Sequence, residues 1–342
     1  MEIQQIIASE YDFELERVVE WIKTNRFQRV LLQYAPGLAY YMPHIRTYLE
    51  LNTQAKIFIE GRGRFGACDV FTTLKEFDAV VHFGHTGFLE SDYPILYIPA
   101  YSNRKLSESI LQKLDSFLTK YKKIGLEASI QHIKLLKDLS QFLENKGKIV
   151  YLGEPGKRGQ FKGQVVGCDY YAGLRIDNLV DAHIIVAGGE FHALGLALSV
   201  NKPVIHIDPF REYVEEIDKR IIEKIHRIRC FAAFRLMQAK KIALVDSNLP
   251  GQHAPNLSER IVSFISKRKP GCHIDVFKID VITDSFLMQL KELGYEVVLT
   301  LACTRLATDD FDRSPIPIFE AREIFRLFAS GLSAERGVVM LQ

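Results

Sequence analysis

The hydrophobic positions fall into short runs rich in Val, Ile, Leu and Phe, separated by longer stretches whose apolar residues recur at helical spacing. Short runs of about four to eight such residues read as buried strands, and the longer stretches as amphipathic helices. The two alternate along the chain, which predicts an α/β fold of mostly parallel sheets covered by helices. The strands group in three sets of four: 29–34, 56–60, 79–83 and 95–98; then 148–152, 164–167, 183–187 and 203–207; then 241–245, 273–278, 296–301 and 316–319. Helices are predicted over 38–51, 70–77, 174–179, 257–267 and 284–293, the last capped by Gly294. Two further stretches, 107–145 with a break at Gly125 and 214–239, read as connecting helices. The expectation is three related small domains, 1–125, 126–238 and 239–342, each a mostly parallel four-stranded sheet flanked by helices.

Composition agrees with that plan. The chain has 342 residues, which at ~150 residues per domain suits two or three domains. Apolar residues make up 47% and charged residues 25%, as in ordinary globular proteins, so disordered, collagenous and low-complexity classes are excluded. There are 44 basic against 42 acidic residues. That balance gives no bulk attraction to nucleic acid or to an anionic membrane, and neither is expected as a partner. No apolar run approaches the ~18 residues of a membrane span, and the first residues lack the basic start of a signal peptide. A cytoplasmic protein with reduced thiols is expected, and five cysteines make a disulfide scaffold improbable.

Ligands of parallel sheets bind beyond the carboxyl ends of the strands. Three cysteines fall there, each after a small residue: Cys68 in Gly66-Ala67-Cys68-Asp69, Cys168 in Val166-Gly167-Cys168-Asp169, and Cys303 in Leu301-Ala302-Cys303-Thr304-Arg305. One reading is three unrelated buried thiols. The other is a single metal centre to which three domains each give one ligand. Three thiolates on a [4Fe–4S] cluster would leave one iron open to substrate. The pattern alone leaves both readings open. Cys230, in a helical run, reads as core filling; Cys272, after Pro270-Gly271, reads as near the surface.

Other polar clusters follow strands: Gly84-His85-Thr86, Gly188-Gly189-Glu190-Phe191-His192, Asp208-Pro209-Phe210 and Pro250-Gly251-Gln252. Such turns either expose N–H groups to an anion or are ordinary turn chemistry. Gly61-x-Gly63-x-x-Gly66 has dinucleotide-binding spacing, but it follows a second strand and opens no helix, so it reads as a turn shaping the Cys68 loop. The basic loop 157–163 reads as solvated or as meeting an acidic partner, and Asp309-Asp310 as a surface or capping pair. No Gly-x-Ser-x-Gly, His-Glu-x-x-His or Walker sequence supports a hydrolase.

Taken in order, Gly66-Ala67-Cys68-Asp69, Gly163-Gln164-Val165-Val166-Gly167-Cys168 and Ala302-Cys303-x-Arg305 resemble the three cysteine motifs of the diphthamide synthase family in its archaeal form. Val81-His82-Phe83-Gly84-His85-Thr86, Gly188-Gly189-x-Phe191-His192 and Ile316-Pro317-x-Phe319-Glu320-Ala321-Arg322-Glu323 extend the resemblance over nearly the whole chain. Thr304 departs from the family's usual Pro, and Tyr34-Ala35-Pro36-Gly37 from its Pro-Glu-Gly. The resemblance implies three α/β domains around a central [4Fe–4S] cluster held by Cys68, Cys168 and Cys303. It implies a homodimer that cleaves S-adenosylmethionine by a radical route. The 3-amino-3-carboxypropyl group then goes to carbon 2 of a histidine on elongation factor 2, with electrons from an unidentified donor. Gly84, His85, Gly188, Gly189, Gly251 and Gln252 are candidate contacts to S-adenosylmethionine. Two alternatives share the three-cysteine plan: a dehydratase similar to quinolinate synthase, and a non-catalytic iron–sulfur electron-transfer partner.

Overall fold

The computed structural model describes residues 10–70, 75–308 and 313–329. Its first parallel sheet comprises β1 (Arg29–Tyr34), β2 (Lys56–Ile59), β3 (Ala79–Phe83) and β4 (Ile95–Ile98), in the order β2-β1-β3-β4. Its second comprises β5 (Lys123–Ala128), β6 (Ile149–Tyr151), β7 (Ala182–Val186), β8 (Val204–Asp208) and an antiparallel edge strand β9 (Tyr213–Glu216), in the order β9-β8-β7-β5-β6. The third comprises β10 (Lys241–Ser247), β11 (His273–Ile279), β12 (Val297–Thr300) and β13 (Ile318–Glu320), in the order β11-β10-β12-β13. One plan recurs. The second strand lies on one side of the first, and the third and fourth lie on the other. The winding direction therefore reverses between first and third strands, the place beyond whose carboxyl ends ligands of such sheets bind.

The chain divides into two compact units, Met1–Ile217 and Asp218–Gln342. The first unit carries two of the sheets and the second carries the third. In the first sheet, Val30, Leu32, Val81 and Phe83 pack with Val18 and Ile22 of the helix Leu15–Asn25 and with Met42, Ile45 and Leu49 of the helix Met42–Asn52. Full burial of such a side chain stabilises by about 1.5–3 kcal/mol. These packed layers hold the strand ends in place.

The first and third strand sets form as the periodicity predicts. In the second set 148–152, 183–187 and 203–207 form but 164–167 does not, and the sheet has five strands where four were expected. Its first strand, Lys123–Ala128, lies within the stretch read as a connecting helix, and Gly125 sits inside that strand. Real helices flank it, Glu108–Leu118 and Leu135–Asn145, and their period masks a six-residue strand whose polar Glu127 is buried. Residues 164–167 make only isolated bridges, Ala128 with Gln164 and Val166 with Asp169. The start of the second connector is strand β9, and its helix begins at Lys219. Around 174–179 there is one short helix, Tyr171–Leu174, and a 3-10 turn, Asp177–Leu179. Residues 71–74 of the helix expected at 70–77 fall outside the described residues, as do Asp309 and Asp310, and the described residues 75–77 are not helical. Gly294 caps the helix Asp284–Glu292 with φ +81°, as read from sequence.

Cys230 corrects the sequence reading. The helix Lys219–Gln238 buries Ile225, Arg229, Ala232 and Leu236, leaving Cys230, Phe231 and Phe234 exposed. Three of those four buried residues are apolar, but Phe231 and Phe234 lie off the inner face. Arg229 lies inward because it pairs with the buried Glu323 at 2.6 Å. Cys272 is half-buried, packed against the core of the third sheet.

Candidate functional site

Cys68 lies in a short 3-10 turn, Ala67–Asp69, after β2. The preceding loop is folded around Arg64, whose side chain is 2% exposed. Its guanidinium meets Glu60 through two hydrogen bonds, one of 2.7 Å from Nε to Oε2, and donates from Nη1 to Asp69 Oδ1 at 3.0 Å. Arg62 Nη2 donates to the same Asp69 oxygen at 2.9 Å. A buried cation needs such partners, so this network fixes the backbone that carries Cys68. Gly63 has Pro36 Cα 2.9 Å from where a Cβ would stand. The close approach at Gly63 suits a turn that shapes the Cys68 loop, the reading made from sequence.

At the end of β3, Gly84 adopts φ +100°, and a Cβ there would lie 2.8 Å from Ala35 Cβ. This places His85 beyond the strand, where its Nδ1 lies 2.8 Å from His82 Nε2. Burial pushes His85 down to about 4, against the opposing pull of Asp69. Burial, followed by the charges of His85 and Arg64, takes His82 well below its ordinary value. Both rings are therefore neutral at ordinary pH. His82 is the register neighbour of Gln33 on β1 and Tyr97 on β4. The Gln33 amide, His82 Nδ1 and the Tyr97 hydroxyl are buried without hydrogen-bond partners. A polar row thus runs across the strand ends of the first sheet.

Cys168 is presented by the bridged turn Val166–Asp169. Gly167 allows the Phe191 ring to approach, with Cε1 2.4 Å from a Cβ at that position. The loop before it is anchored at both sides. Asp169 Oδ2 accepts from the Arg158 N–H at 3.0 Å, and Gln164 Oε1 accepts from the N–H groups of Gln160 and Phe161 at 2.7 and 3.1 Å. Gln164 Nε2 reaches Thr86 Oγ1 at 3.0 Å, and Gln160 Nε2 reaches Gly87 O at 3.1 Å. Within the first unit, the loop beside Cys168 is therefore tied to the turn that carries His85. Arg158, placed by sequence in a solvated basic loop, is half-buried and donates from Nη1 to Cys168 Sγ at 2.7 Å. Burial alone would lower its pKa, but the sulfurs of Cys168 and Cys68 with Asp169 hold it above its ordinary value. One guanidinium thus acts electrostatically on both Cys68 and Cys168.

Gly188 and Gly189 follow β7. Gly189 has φ +69° and its N–H is taken by Asp208 Oδ2 at 2.9 Å. Asp208 also accepts from the N–H groups of Phe210 and Arg211. His132 lies nearby, 3.8 Å from a Cβ at Gly188, its Nδ1 buried without a partner and its pKa pushed by burial to about 4. Gln131 Nε2 donates to Gly84 O at 2.6 Å. Sequence reasoning missed His132 and Gln131 because the strand that presents them was itself missed.

In the second unit, Cys303 follows β12 and precedes the 3-10 turn Thr304–Ala307. Arg322 Nη2 donates to Leu301 O at 2.6 Å and Nη1 to Ala302 O at 3.3 Å, while Glu320 accepts from Nη1 at 2.9 Å. This clamp explains the Glu320-Ala321-Arg322 segment in physical terms: it holds the backbone just ahead of Cys303. Gly251 and Gln252 lie in the turn after β10. There the buried Asp246 accepts from Ala254 N–H at 3.3 Å and pairs with Lys278. A cleft of about 540 Å³ opens beside the turn after Cys303, lined by Leu306, Thr308, Pro317, Arg227, Phe231 and Arg235 among others.

The structure gathers Cys68, Cys168, Gly84 and His85 with Arg158 in one unit and places Cys303, Gly251 and Gln252 in the other. Each of these cysteines is partly exposed and outside any disulfide; Cys68 and Cys303 lie on turns after β2 and β12, whereas Cys168 sits in a bridged turn, because the strand expected before it does not form. Those features suit soft thiolate ligation of iron–sulfur or zinc and not an oxygen-ligand site for magnesium or calcium. Each thiol, taken singly, is thus of the donor type that an iron–sulfur cluster takes.

A family model for diphthamide synthesis proteins matches residues 35–333. The 2-(3-amino-3-carboxypropyl)histidine synthase of Pyrococcus horikoshii is 28% identical over 319 residues, covering 92% of this chain and 90% of that protein. Subunit 1 of the Schizosaccharomyces pombe 2-(3-amino-3-carboxypropyl)histidine synthase is 24% identical over 335 residues, 95% of this chain and 75% of that one. The crystal structure of Dph2 from Pyrococcus horikoshii with a 4Fe-4S cluster superposes with a TM-score of 0.81 at 26% identity, covering 94% of this chain and 92% of that chain. With the model spanning most of its length, this chain belongs to the diphthamide synthesis protein family.

Proposed function

We propose that the chain transfers the 3-amino-3-carboxypropyl group of S-adenosylmethionine to carbon 2 of a histidine on elongation factor 2, the first step of diphthamide formation, releasing methylthioadenosine. The observation that carries this reading is a partly exposed thiol on a turn in each of three segments whose four parallel strands share one order: Cys68 after β2, Cys168 in the bridged turn Val166–Asp169 and Cys303 after β12. The name and bound cluster of the P. horikoshii relatives support it.

Carbon 2 of a neutral imidazole is a poor nucleophile, so polar alkylation would favour ring nitrogen. A one-electron route avoids that competition. A [4Fe–4S] cluster, when bound, supplies the electron and an iron open to substrate. On this reading Cys68, Cys168 and Cys303 are its ligands, and the three sheets correspond to three domains. Gly84, His85, Gly188, Gly189, Gly251 and Gln252 lie where the strand order reverses and contact S-adenosylmethionine. Neutral His85 and His82 offer hydrogen bonds without adding charge beside a sulfonium cation. Because the Gly189 N–H is occupied by Asp208, a ligand meets that turn through other groups. The enzyme works as a cytoplasmic homodimer, takes electrons from a separate donor, and meets its protein substrate through a local surface. Among the described residues no helix is long and apolar enough to cross a membrane.

The reading is tested by anaerobic reconstitution with iron and sulfide, then incubation with S-adenosylmethionine and dithionite. Methylthioadenosine should form only with reductant and cluster. If none forms although the cluster is present, the transfer reading fails and an electron-transfer or dehydratase role takes its place.

A further inference from the structure

Arg158 has a place that neither a surface residue nor a simple structural cation would take. Its guanidinium donates to Cys168 Sγ at 2.7 Å, and its charge is felt at Cys68 as well. The ring of Phe88 lies beneath it, 5.2 Å from the guanidinium carbon. Its own backbone N–H is held by Asp169, the residue after the cysteine, at 3.0 Å. A Cβ at Gly156 would lie 2.2 Å from both Asp169 carboxylate oxygens. Only glycine lets the chain pass there, and the loop is thereby drawn onto the Cys168 turn. With Gln164 and Gln160 fixing the far side of the loop, the cation's position is set before any ligand arrives.

We propose that Arg158 is a positioning residue for the iron–sulfur centre: its charge-assisted hydrogen bond to the Cys168 sulfur makes the bound cluster easier to reduce. This rests on the cluster reading given above. Reduction adds one negative charge to a centre already made anionic by its thiolates. A fixed cation donating to one of those sulfurs stabilises the reduced form more than the oxidised form. Arg suits the role because its planar fork can stack on Phe88 while one N–H points at sulfur, and it stays charged. Reductive cleavage of a sulfonium needs a low potential, so Arg158 sets how low the donor must reach. It takes no part in the bond changes themselves.

The test is a redox titration of the reconstituted full-length holoenzyme, followed by electron paramagnetic resonance of the reduced cluster. The proteins are wild type, Arg158→Gln, Arg158→Lys and, as a control on the same loop, the exposed Lys157→Gln. Iron and sulfide content is measured for each. The expected result is a midpoint shifted to lower potential in Arg158→Gln, a smaller shift in Arg158→Lys, and no shift in Lys157→Gln. Should the Gln variant not fold, the Lys variant alone must still lie below wild type. A loaded variant with the wild-type midpoint overturns the proposal and leaves the cluster reading standing. An equal shift in Lys157→Gln overturns it too, since bulk charge would then explain the effect. Wild type that binds no cluster overturns both.

Discussion

His82 Nε2 and His85 Nδ1 stand 2.8 Å apart, so two neutral imidazoles share a single proton between a buried strand and the turn beyond it. His85 has a folded-state value of about 4, against 6.5 for the free group. Between those values the unfolded chain binds a proton that the folded chain does not. Stability is therefore fully present above pH 6.5 and falls as pH drops toward 4. His132, also pushed to about 4, adds to the same slope. Denaturant unfolding at a series of pH values should show this acid loss in the wild type and a shallower one in His85→Gln. An unchanged slope in that variant would contradict the assignment.

The opposite sign holds at His183. Burial acts to lower its pKa, but Glu127 first, then Asp177, raise it to about 9. Its Nδ1 is 2.9 Å from Glu127 Oε1 and its Nε2 3.2 Å from Asp177 Oδ1. Here the folded chain keeps a proton that the unfolded chain releases. The contribution is complete below pH 6.5 and is lost as pH rises toward 9. Glu127→Gln removes one partner of a buried ion pair and should cost about 3–5 kcal/mol near neutral pH. It should also flatten the alkaline slope. Chemical denaturation between pH 6 and pH 9 measures both.

Sequence periodicity revealed the first and third sheets because their strands are short, apolar and bounded by turns. It failed at Lys123–Ala128 for a physical reason: Glu127, Gly125 and Lys123 break the apolar run, and Glu127 is tolerated only because His183 on the adjacent strand pairs with it. Such a partner cannot be seen locally. Cys68 and Cys303 were placed on turns because the strands before them were legible; the strand expected before Cys168 makes only isolated bridges. Arg158 was not legible, since its inward course depends on contacts with Asp169 and Phe88 that distant segments supply. Cys230 was misplaced because the helix turns its buried stripe through Arg229, a residue that hydrophobicity alone would put outside.

Gly153 tests the packing of the loop that carries Arg158. A Cβ there would lie 1.8 Å from Ala172 O, and its own carbonyl accepts the Gly163 N–H at 2.8 Å. Backbone cannot yield as a flexible side chain does, so Gly153→Ala should destabilise by at least about 1–3 kcal/mol. Thermal or denaturant unfolding measures the loss. An alanine variant as stable as wild type would show that this loop is looser than its contacts indicate.

The five cysteines divide by position. Replacing Cys68, Cys168 or Cys303 with Ala should abolish or strongly reduce the visible absorbance of the reconstituted cluster. Replacing the exposed Cys230 or half-buried Cys272 should leave it unchanged. Iron and sulfide analysis after anaerobic reconstitution reads this directly. Loss of the cluster in the Cys230 or Cys272 variant alone would reassign the ligands.

The central claim is transfer to a protein histidine, and mass spectrometry of elongation factor 2 tests it most directly. The reconstituted enzyme is incubated anaerobically with elongation factor 2, S-adenosylmethionine and dithionite, and the factor is digested. The account predicts one histidine peptide heavier by a 3-amino-3-carboxypropyl group, with the label on ring carbon and methylthioadenosine formed in equal amount. Unmodified elongation factor 2 in the presence of a reduced, intact cluster would contradict it.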